Sequence, residues 1–232
     1  MTMLPRRTLL LAGAACFGPG AAWALELSEL TRTDATAGVK AALQRGAEVA
    51  VSQLGRNDGF LGNPKVRIPL PGWLEQGAQV LRSLGQGQRV DELETAMNRA
   101  AEAAVPAAKP LLLNAVKSMT VSDAKGILGG GETSVTDFFA QRTRAPLSEK
   151  FLPIVKQSTA KVGLARQANA LIDKLGPLGS LGGAQPQNLD QYVTGKALDG
   201  LYLMIGEEER QIRQDPIGTG SKILGKVFGA GR

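Results

Sequence analysis

The sequence predicts an all-α fold, built as a single multi-helix, bundle-like domain of about eight to ten helices with one short extended Pro-rich segment. Alanine and leucine dominate and β-branched runs are rare, which favours helix over strand. Apolar residues recur at spacings of three and four, the period of one helix face. Proline and glycine stand between these stretches, where helices begin and end. Neither a repeat nor a break in composition divides the 232 residues, so one domain is expected.

Residues 1–24 have the three parts of a secretory signal peptide. Arg6 and Arg7 precede an apolar run over residues 9–17, and Ala22-Trp23-Ala24 fits an A-x-A cleavage site. The apolar run is too short to anchor a helix across a bilayer. We therefore expect a periplasmic protein whose residues 25–232 form the single helical domain after cleavage.

The export route is left open between the Sec and twin-arginine pathways. The Arg6-Arg7 pair and the leucines after it resemble a twin-arginine signal, whereas Pro5 and the lack of a following lysine depart from that pattern. The sequence argues against lipid attachment at Cys16, because Gly13 stands where an apolar residue usually precedes an acylated cysteine.

The residue inventory excludes several kinds of chemistry. The sequence has no histidine, and its one cysteine, Cys16, lies in the signal peptide. The mature chain therefore cannot form disulfides, thiolate or imidazole metal sites, or a Ser-His-Asp triad. No cofactor is predicted, although a hard-cation site made of oxygens is still allowed. Aromatic residues make up only 4% of the sequence and charges are scattered, so nucleic-acid binding is not expected.

The first predicted helix runs from a cap at Asp34 to Leu54, and Gly55 stops it. The Pro-rich stretch over residues 63–76 follows a loop. Prolines in this stretch remove backbone donors, so it can form at most an edge strand or extended segment. Pro71 is placed as the first residue of the next helix, which Gly85 ends.

Two interpretations of the Pro-rich stretch are open. Arg67 and Trp73 beside prolines are typical of segments that dock a partner. In the alternative, Ile68, Leu70 and Trp73 point inward and clamp a corner between helices. The helical sequence on both sides favours the clamp.

The clearest helix covers residues 86–105, and Pro106 ends or kinks it. Later helices are indicated by the same signals. They are a helix with Pro110 in its first turn, one from the Thr120-Asp123 capping box to Leu128, one after the joint at Gly129–Glu132, one from Pro146 with a kink at Pro153, one ending at Gly176, a long one from Asp190, and a last one from Asp215-Pro216.

Eight polar residues form a candidate cluster. Asn98 and Glu102 share a helix face, and a buried charge needs a partner, so Glu207 or Glu208 is hypothesised to lie against Arg99 or Lys117. A helix seam with polar edges and a solvated acidic face are the simpler explanations. The candidates are Asn98, Arg99, Glu102, Asp123, Lys125, Asp137, Glu207 and Glu208.

Four long blocks resemble, in order, a bacterial family known as domain-of-unknown-function family 4197 (DUF4197). They cover residues 50–75, 97–128, 151–163 and 197–229, and include "GNPKVRIPLPGWLE" and "GLYLMIGEEERQIRQDP". The resemblance implies an exported protein with one helical domain. It implies no activity and therefore no catalytic residues.

Three functional hypotheses remain. The first is a binding or scaffold protein of the cell envelope, with another envelope protein or a small ligand as partner. The second is an enzyme that uses carboxylates and lysine, with or without a hard cation, near Gly129–Gly131. The third is peripheral contact with an anionic membrane through Lys222, Lys226 and the last helix. No oligomeric state is predicted.

Overall fold

A computed structural model of the chain describes residues 32–131, 133–161, 163 and 189–215. The regular secondary structure of these residues is helical and contains no β-strand, in agreement with the predicted all-α class. They form seven α-helices and one short 3-10 helix. The helices are α1 (Arg32–Leu54), α2 (Gly72–Ser83), α3 (Gly87–Ala104), the 3-10 helix (Val105–Ala107), α4 (Ala108–Lys117), α5 (Val121–Gly129), α6 (Ser134–Lys161) and α7 (Leu189–Gln214).

The two long helices α6 and α7 pack against each other at the centre of a bundle. Helix α3 packs on α6 and α7, α1 packs on α7, α4 and α5, and α2 packs on α3. Phe60, Phe139 and Phe151 are fully buried and belong to one continuous apolar cluster. A single core of this extent supports the one-domain arrangement of the described residues.

Local signals set most helix ends. Helix α1 ends at Leu54, directly before Gly55, although it begins at Arg32 and not after the predicted cap Asp34. Pro71 was predicted to be the first residue of α2. It is instead the N-cap, with extended dihedral angles (φ −64°, ψ 146°), so the helix begins one residue later, at Gly72. Gly85 has φ +73°, a left-handed conformation that glycine adopts without steric cost.

The end of α3 and the start of α5 follow the predicted pattern. Pro106 lies in the 3-10 helix that separates α3 from α4, so it does end the regular helix. The Thr120 side chain accepts a hydrogen bond from the Asp123 backbone N–H (3.1 Å), and the Asp123 carboxylate accepts one from the Thr120 N–H (2.8 Å). This reciprocal capping box confirms the predicted start of α5.

The prediction that a new helix starts at Pro146 is wrong, because α6 continues through Pro146 and Pro153 for 28 residues. An internal proline costs about 3 kcal/mol because it removes a hydrogen bond and crowds the preceding turn. Buried side chains on both sides of Pro146 offset that cost, at about 1.5–3 kcal/mol for each large apolar one. Every fourth residue of this helix is buried: Phe139, Thr143, Leu147, Phe151, Val155 and Thr159.

Helix α7 begins at Leu189, one residue before the predicted Asp190. The helices predicted to end at Gly176 and to start at Pro216 lie outside the described residues. The seven α-helices that are described leave the predicted number of eight to ten unconfirmed.

Residues 55–71 connect α1 to α2 without forming a helix, and we call them the strap. The strap includes most of the Pro-rich stretch. Phe60, Val66, Ile68 and Leu70 of the strap are buried and belong to the core. Of the three residues of the clamp interpretation, Ile68 and Leu70 are therefore buried, and Trp73 is partly buried and packs against the core.

Candidate functional site

Asn98 fastens the strap to α3 and is completely buried. Its side-chain oxygen accepts a hydrogen bond from the Ile68 N–H (2.8 Å), and its Nδ2 donates to the Ile68 carbonyl (2.9 Å) and to the Glu94 carbonyl (2.8 Å). The side chain therefore pairs with Ile68 as a neighbouring strand would. It satisfies two backbone groups that the strap could not satisfy by itself.

Glu102 fastens the strap one turn further along α3. Its carboxylate is buried and accepts hydrogen bonds from the N–H groups of Phe60 (3.0 Å) and Leu61 (3.1 Å). Arg99 donates to Glu102 (2.7 Å) and to Asp58 of the strap (2.7 Å). The hydrogen bond to Glu102 is the main cause that raises the pKa of Arg99. This charge network holds the strap on α3.

Helix α7 contacts the other side of the strap. The Tyr192 hydroxyl donates to the Pro69 carbonyl (3.1 Å), and Lys65 forms an ion pair with Glu207 (2.7 Å). A Cβ atom at Gly200 would lie 2.7 Å from Phe60 Cε1, so only glycine permits this close approach. The strap is thus held on α3 by buried polar groups, and on α7 by exposed polar contacts and by the close approach at Gly200.

The three consecutive glutamates of α7 point to three different places. Glu207 contacts Lys65 and Arg210, and the Lys65 hydrogen bond is the main cause that lowers its pKa. Glu208 faces α1, where Gln53 donates to it at 3.4 Å. The hypothesis that Glu207 or Glu208 lies against Arg99 or Lys117 is therefore wrong.

Glu209 belongs to a polar network that involves more than its own helix. It is buried, accepts hydrogen bonds from Arg213 (2.8 Å) and from the Val135 N–H (3.2 Å), and therefore lies at the N-terminus of α6. The Ser134 hydroxyl contacts Arg213 (2.9 Å) and the Ile127 carbonyl (3.0 Å). A carboxylate at a helix N-terminus is stabilised by the helix dipole. This network joins α5, α6 and α7.

The remaining candidates lie near the glycine joint. Asp123 forms an ion pair with Arg142 (2.8 Å), and its hydrogen bond from the Thr120 N–H is the main cause that lowers its pKa. Asp137 accepts a hydrogen bond from Thr133 (3.0 Å), and Lys125 is exposed. Each carboxylate therefore stabilises the start of a helix.

The structure brings only some of the eight candidates together. Asn98, Arg99 and Glu102 are neighbours on α3 beneath the strap. The other five belong to other contacts: Asp123 to Arg142, Asp137 to Thr133, Glu207 to Lys65, Glu208 to Gln53, and Lys125 to the surface of α5. In the part of the chain that the structure describes, no three carboxylates gather as they would to hold a metal ion.

A groove of about 610 Å³ lies between α3 and the end of α6. The buried residues Ala96 and Ala100 form its base. Charges of both signs surround it, with Asp91, Glu92 and Arg99 on α3 and Lys161 on α6. An apolar base inside a polar rim is the usual anatomy of a binding surface. Sequence reasoning missed this groove, because its two walls are far apart along the chain.

Among the described helices, none combines the length and apolar character that a membrane crossing requires. The residues of the membrane-contact hypothesis, Lys222 and Lys226, lie outside the described part.

Comparison with known proteins gave one match. A family model described as "Protein of unknown function (DUF4197)" matches residues 29–229. No curated protein and no solved structure matches the chain.

Proposed function

The chain belongs to the DUF4197 family, and from that premise we propose that it is an exported, rigid binding protein of the cell envelope. We infer that it receives a segment of another envelope protein in the groove between α3 and α6. The observation that carries this proposal is the contrast between two sets of polar groups. Asn98 and Glu102 beneath the strap are buried and bonded within the chain, whereas Asp91, Glu92 and Lys161 around the groove are exposed.

The strap contacts support a rigid scaffold. Asn98 and Glu102 form hydrogen bonds with four backbone groups of the strap. These groups are the N–H of Phe60, Leu61 and Ile68 and the carbonyl of Ile68. Buried polar networks whose members are all bonded favour one arrangement of the chain, because any other arrangement leaves groups unsatisfied. A fixed framework reduces the entropy lost when a partner binds.

The groove supports a protein segment as the partner. Gln88, Glu92, Thr95 and Arg99 line it at helical spacing along α3, so it extends for roughly 16 Å at 1.5 Å per residue. Small alanines at its base allow close approach of another backbone, and the charged rim fixes orientation. A helix laid in such a groove is a common mode of peptide recognition.

Cross-linking at a single position tests the groove. A signal peptide cleaved after Ala24 removes Cys16, so Glu92→Cys would give the mature chain one thiol, to which a short photo-cross-linker is attached. In the native envelope fraction we expect a defined protein adduct that Thr95→Trp, which fills the groove, abolishes. Lys125→Cys, on the surface of α5, is the matched control. The groove is not a binding site if Glu92→Cys gives no adduct, or if Lys125→Cys gives the same one.

The signal-peptide pattern supports export, and mass spectrometry of the natively purified protein tests it. We expect the mature chain to begin at Leu25. A chain recovered from the cytosol with Met1 still present would contradict export.

Two further hypotheses have less support. The enzyme hypothesis places its groups near Gly129–Gly131. There Asp123 belongs to a capping box, Asp137 accepts a hydrogen bond from Thr133, and Lys125 is exposed. The membrane hypothesis depends on residues outside the described part. Binding of the mature protein to anionic vesicles that falls in the double variant Lys222→Glu, Lys226→Glu would favour it.

A further inference from the structure

Glu208 is buried in the contact between α1 and α7 with few groups to stabilise its charge. It is 9% exposed, and among the described residues its one hydrogen-bond donor from another helix is the neutral amide of Gln53, at 3.4 Å. A Cβ atom at Gly46 of α1 would lie 3.6 Å from Glu208 Cβ, so the two helices meet at van der Waals distance. The ionised carboxylate is therefore held against α1 by packing and not by an ion pair of its own in this contact.

The neighbouring glutamate of similar burial shows the contrast. Glu209 is 5% exposed, and its carboxylate receives hydrogen bonds from the Arg213 guanidinium and from the Val135 N–H at the start of α6. Hydrogen bonds from a guanidinium to a carboxylate are among the stronger hydrogen bonds in proteins. Glu208 is buried to a similar extent, but it does not receive hydrogen bonds from a guanidinium or a helix N-terminus in the described contacts.

The charged groups that act on Glu208 come from two helices. From α1, the charge of Arg45 favours ionisation; from α7 itself, the like charge of Glu207 opposes it. The strap's Lys65 bonds to Glu207, and α6 presents Thr136 to Gly206 and Ser134 to Glu209. Burial is the largest effect, and it raises the pKa of Glu208.

We propose that Glu208 makes the contact between α1 and α7 sensitive to pH, so that α1 is held more firmly when this carboxyl is protonated than when it is ionised. The protonated form buries no charge and can donate a hydrogen bond to the Gln53 side-chain oxygen after the amide rotates. The ionised form has to keep its charge in an apolar contact or move towards water. The device depends on the bundle alone and is independent of the groove.

The direction of the pH dependence follows from linkage. A carboxyl whose pKa is raised by folding binds a proton more tightly in the folded chain. Its contribution to stability is therefore greatest below its ordinary pKa of 4.5 and declines as pH rises towards the raised value. Each pH unit within that interval changes the folding equilibrium constant by up to about tenfold.

Comparison of the wild-type chain with Glu208→Gln tests the proposal. Glutamine keeps the shape of the protonated carboxyl and cannot ionise. Unfolding constants are measured in urea from about pH 4 to about pH 8 at fixed ionic strength. We expect wild type to lose stability relative to Glu208→Gln by up to tenfold per pH unit, and then to level off. A difference that is constant with pH, or that changes in the opposite direction, overturns the proposal.

Glu207→Gln is the matched control on the adjacent residue. Because the Lys65 hydrogen bond lowers the pKa of Glu207, wild type should gain stability relative to Glu207→Gln only as pH rises to its ordinary pKa of 4.5, and the difference should be constant above that value. The same direction for both variants would show a general charge effect and would overturn the proposal.

Hydrogen exchange on the wild-type chain gives a second test that needs no variant. Protection of the amides at residues 45–53 of α1 should fall with rising pH relative to those at residues 93–101 of α3, after correction for intrinsic rates. A constant ratio between the two helices would contradict a pH-sensitive contact of α1.

Discussion

Adding one methyl group at Gly200 tests how the strap is seated on α7. The new Cβ atom would lie 2.7 Å from Phe60 Cε1 and 3.2 Å from Val66 Cβ. Phe60 is fully buried, and its own N–H is bonded to Glu102 at 3.0 Å. The ring therefore cannot move aside without loosening the polar contact that fixes the strap.

The expected magnitude is the difference between two effects. Overpacking a well-filled core costs about 1–3 kcal/mol. Replacing glycine by alanine inside a helix normally stabilises it by about 1 kcal/mol. We therefore expect Gly200→Ala to lower the free energy of unfolding by up to about 2 kcal/mol. At about 2–4 °C per kcal/mol for a chain of this size, the melting temperature should fall by up to about 8 °C.

Gly195→Ala is the matched control, because Gly195 lies in the same helix and no atom lies within 4 Å of its added Cβ. This variant should be more stable than wild type by about 0.5–1 kcal/mol. Both variants are measured by thermal and urea unfolding, followed by far-ultraviolet circular dichroism. Phe60→Leu makes room beside Gly200, so combined with Gly200→Ala it should cost less than the sum of the two single changes. The reasoning is refuted if Gly200→Ala stabilises the chain as much as Gly195→Ala does.

Three further predictions concern other contacts. Asn98→Ala should lower the free energy of unfolding by about 2–4 kcal/mol in urea, because it leaves two buried backbone groups of Ile68 without partners; a loss below about 1 kcal/mol would contradict the clamp. Pro146→Ala should stabilise the chain by up to about 3 kcal/mol, because Pro146 is exposed and removes a backbone hydrogen bond inside α6, and a lower melting temperature would show that the proline is required. Since folding lowers the pKa of Asp123, its contribution to stability is complete above its ordinary value of 3.8 and is lost as pH falls through the folded value. Asp123→Asn should therefore have a lower melting temperature than wild type at neutral pH, and the two melting temperatures should converge in strong acid. A difference that is the same at both pH values would contradict the stabilising role of the ionised Asp123.

The pH predictions for Asp123 and Glu208 have opposite signs for one physical reason. Asp123 is stabilised in its ionised form by the Thr120 N–H, so folding favours loss of its proton. Glu208 is buried with a weak neutral donor, so folding favours retention of its proton. The same chemical group thus stabilises the fold at neutral pH in one place and destabilises it in the other.

The sequence by itself determined the features that depend on neighbours within one or two helical turns. The all-α class, the end of α1 before Gly55, the capping box of α5 and the break at Pro106 were all predictable, because caps and helix breakers act locally. The inward Ile68 and Leu70 of the strap were predictable from their apolar character. The family resemblance, too, is carried by the sequence, and the match over residues 29–229 confirms it.

Only the tertiary structure decided the contacts between distant residues and the helices that depend on them. Helix α6 continues through Pro146 because its buried stripe packs between α3 and α7, and this packing outweighs a local signal that predicts a break. Glu207, Glu208 and Glu209 are chemically identical neighbours along the chain. Their roles differ because each has a different partner, namely Lys65, Gln53 and Val135. These partners are 142, 155 and 74 residues away along the chain. Such pairings arise from how the helices pack, which no local sequence pattern specifies.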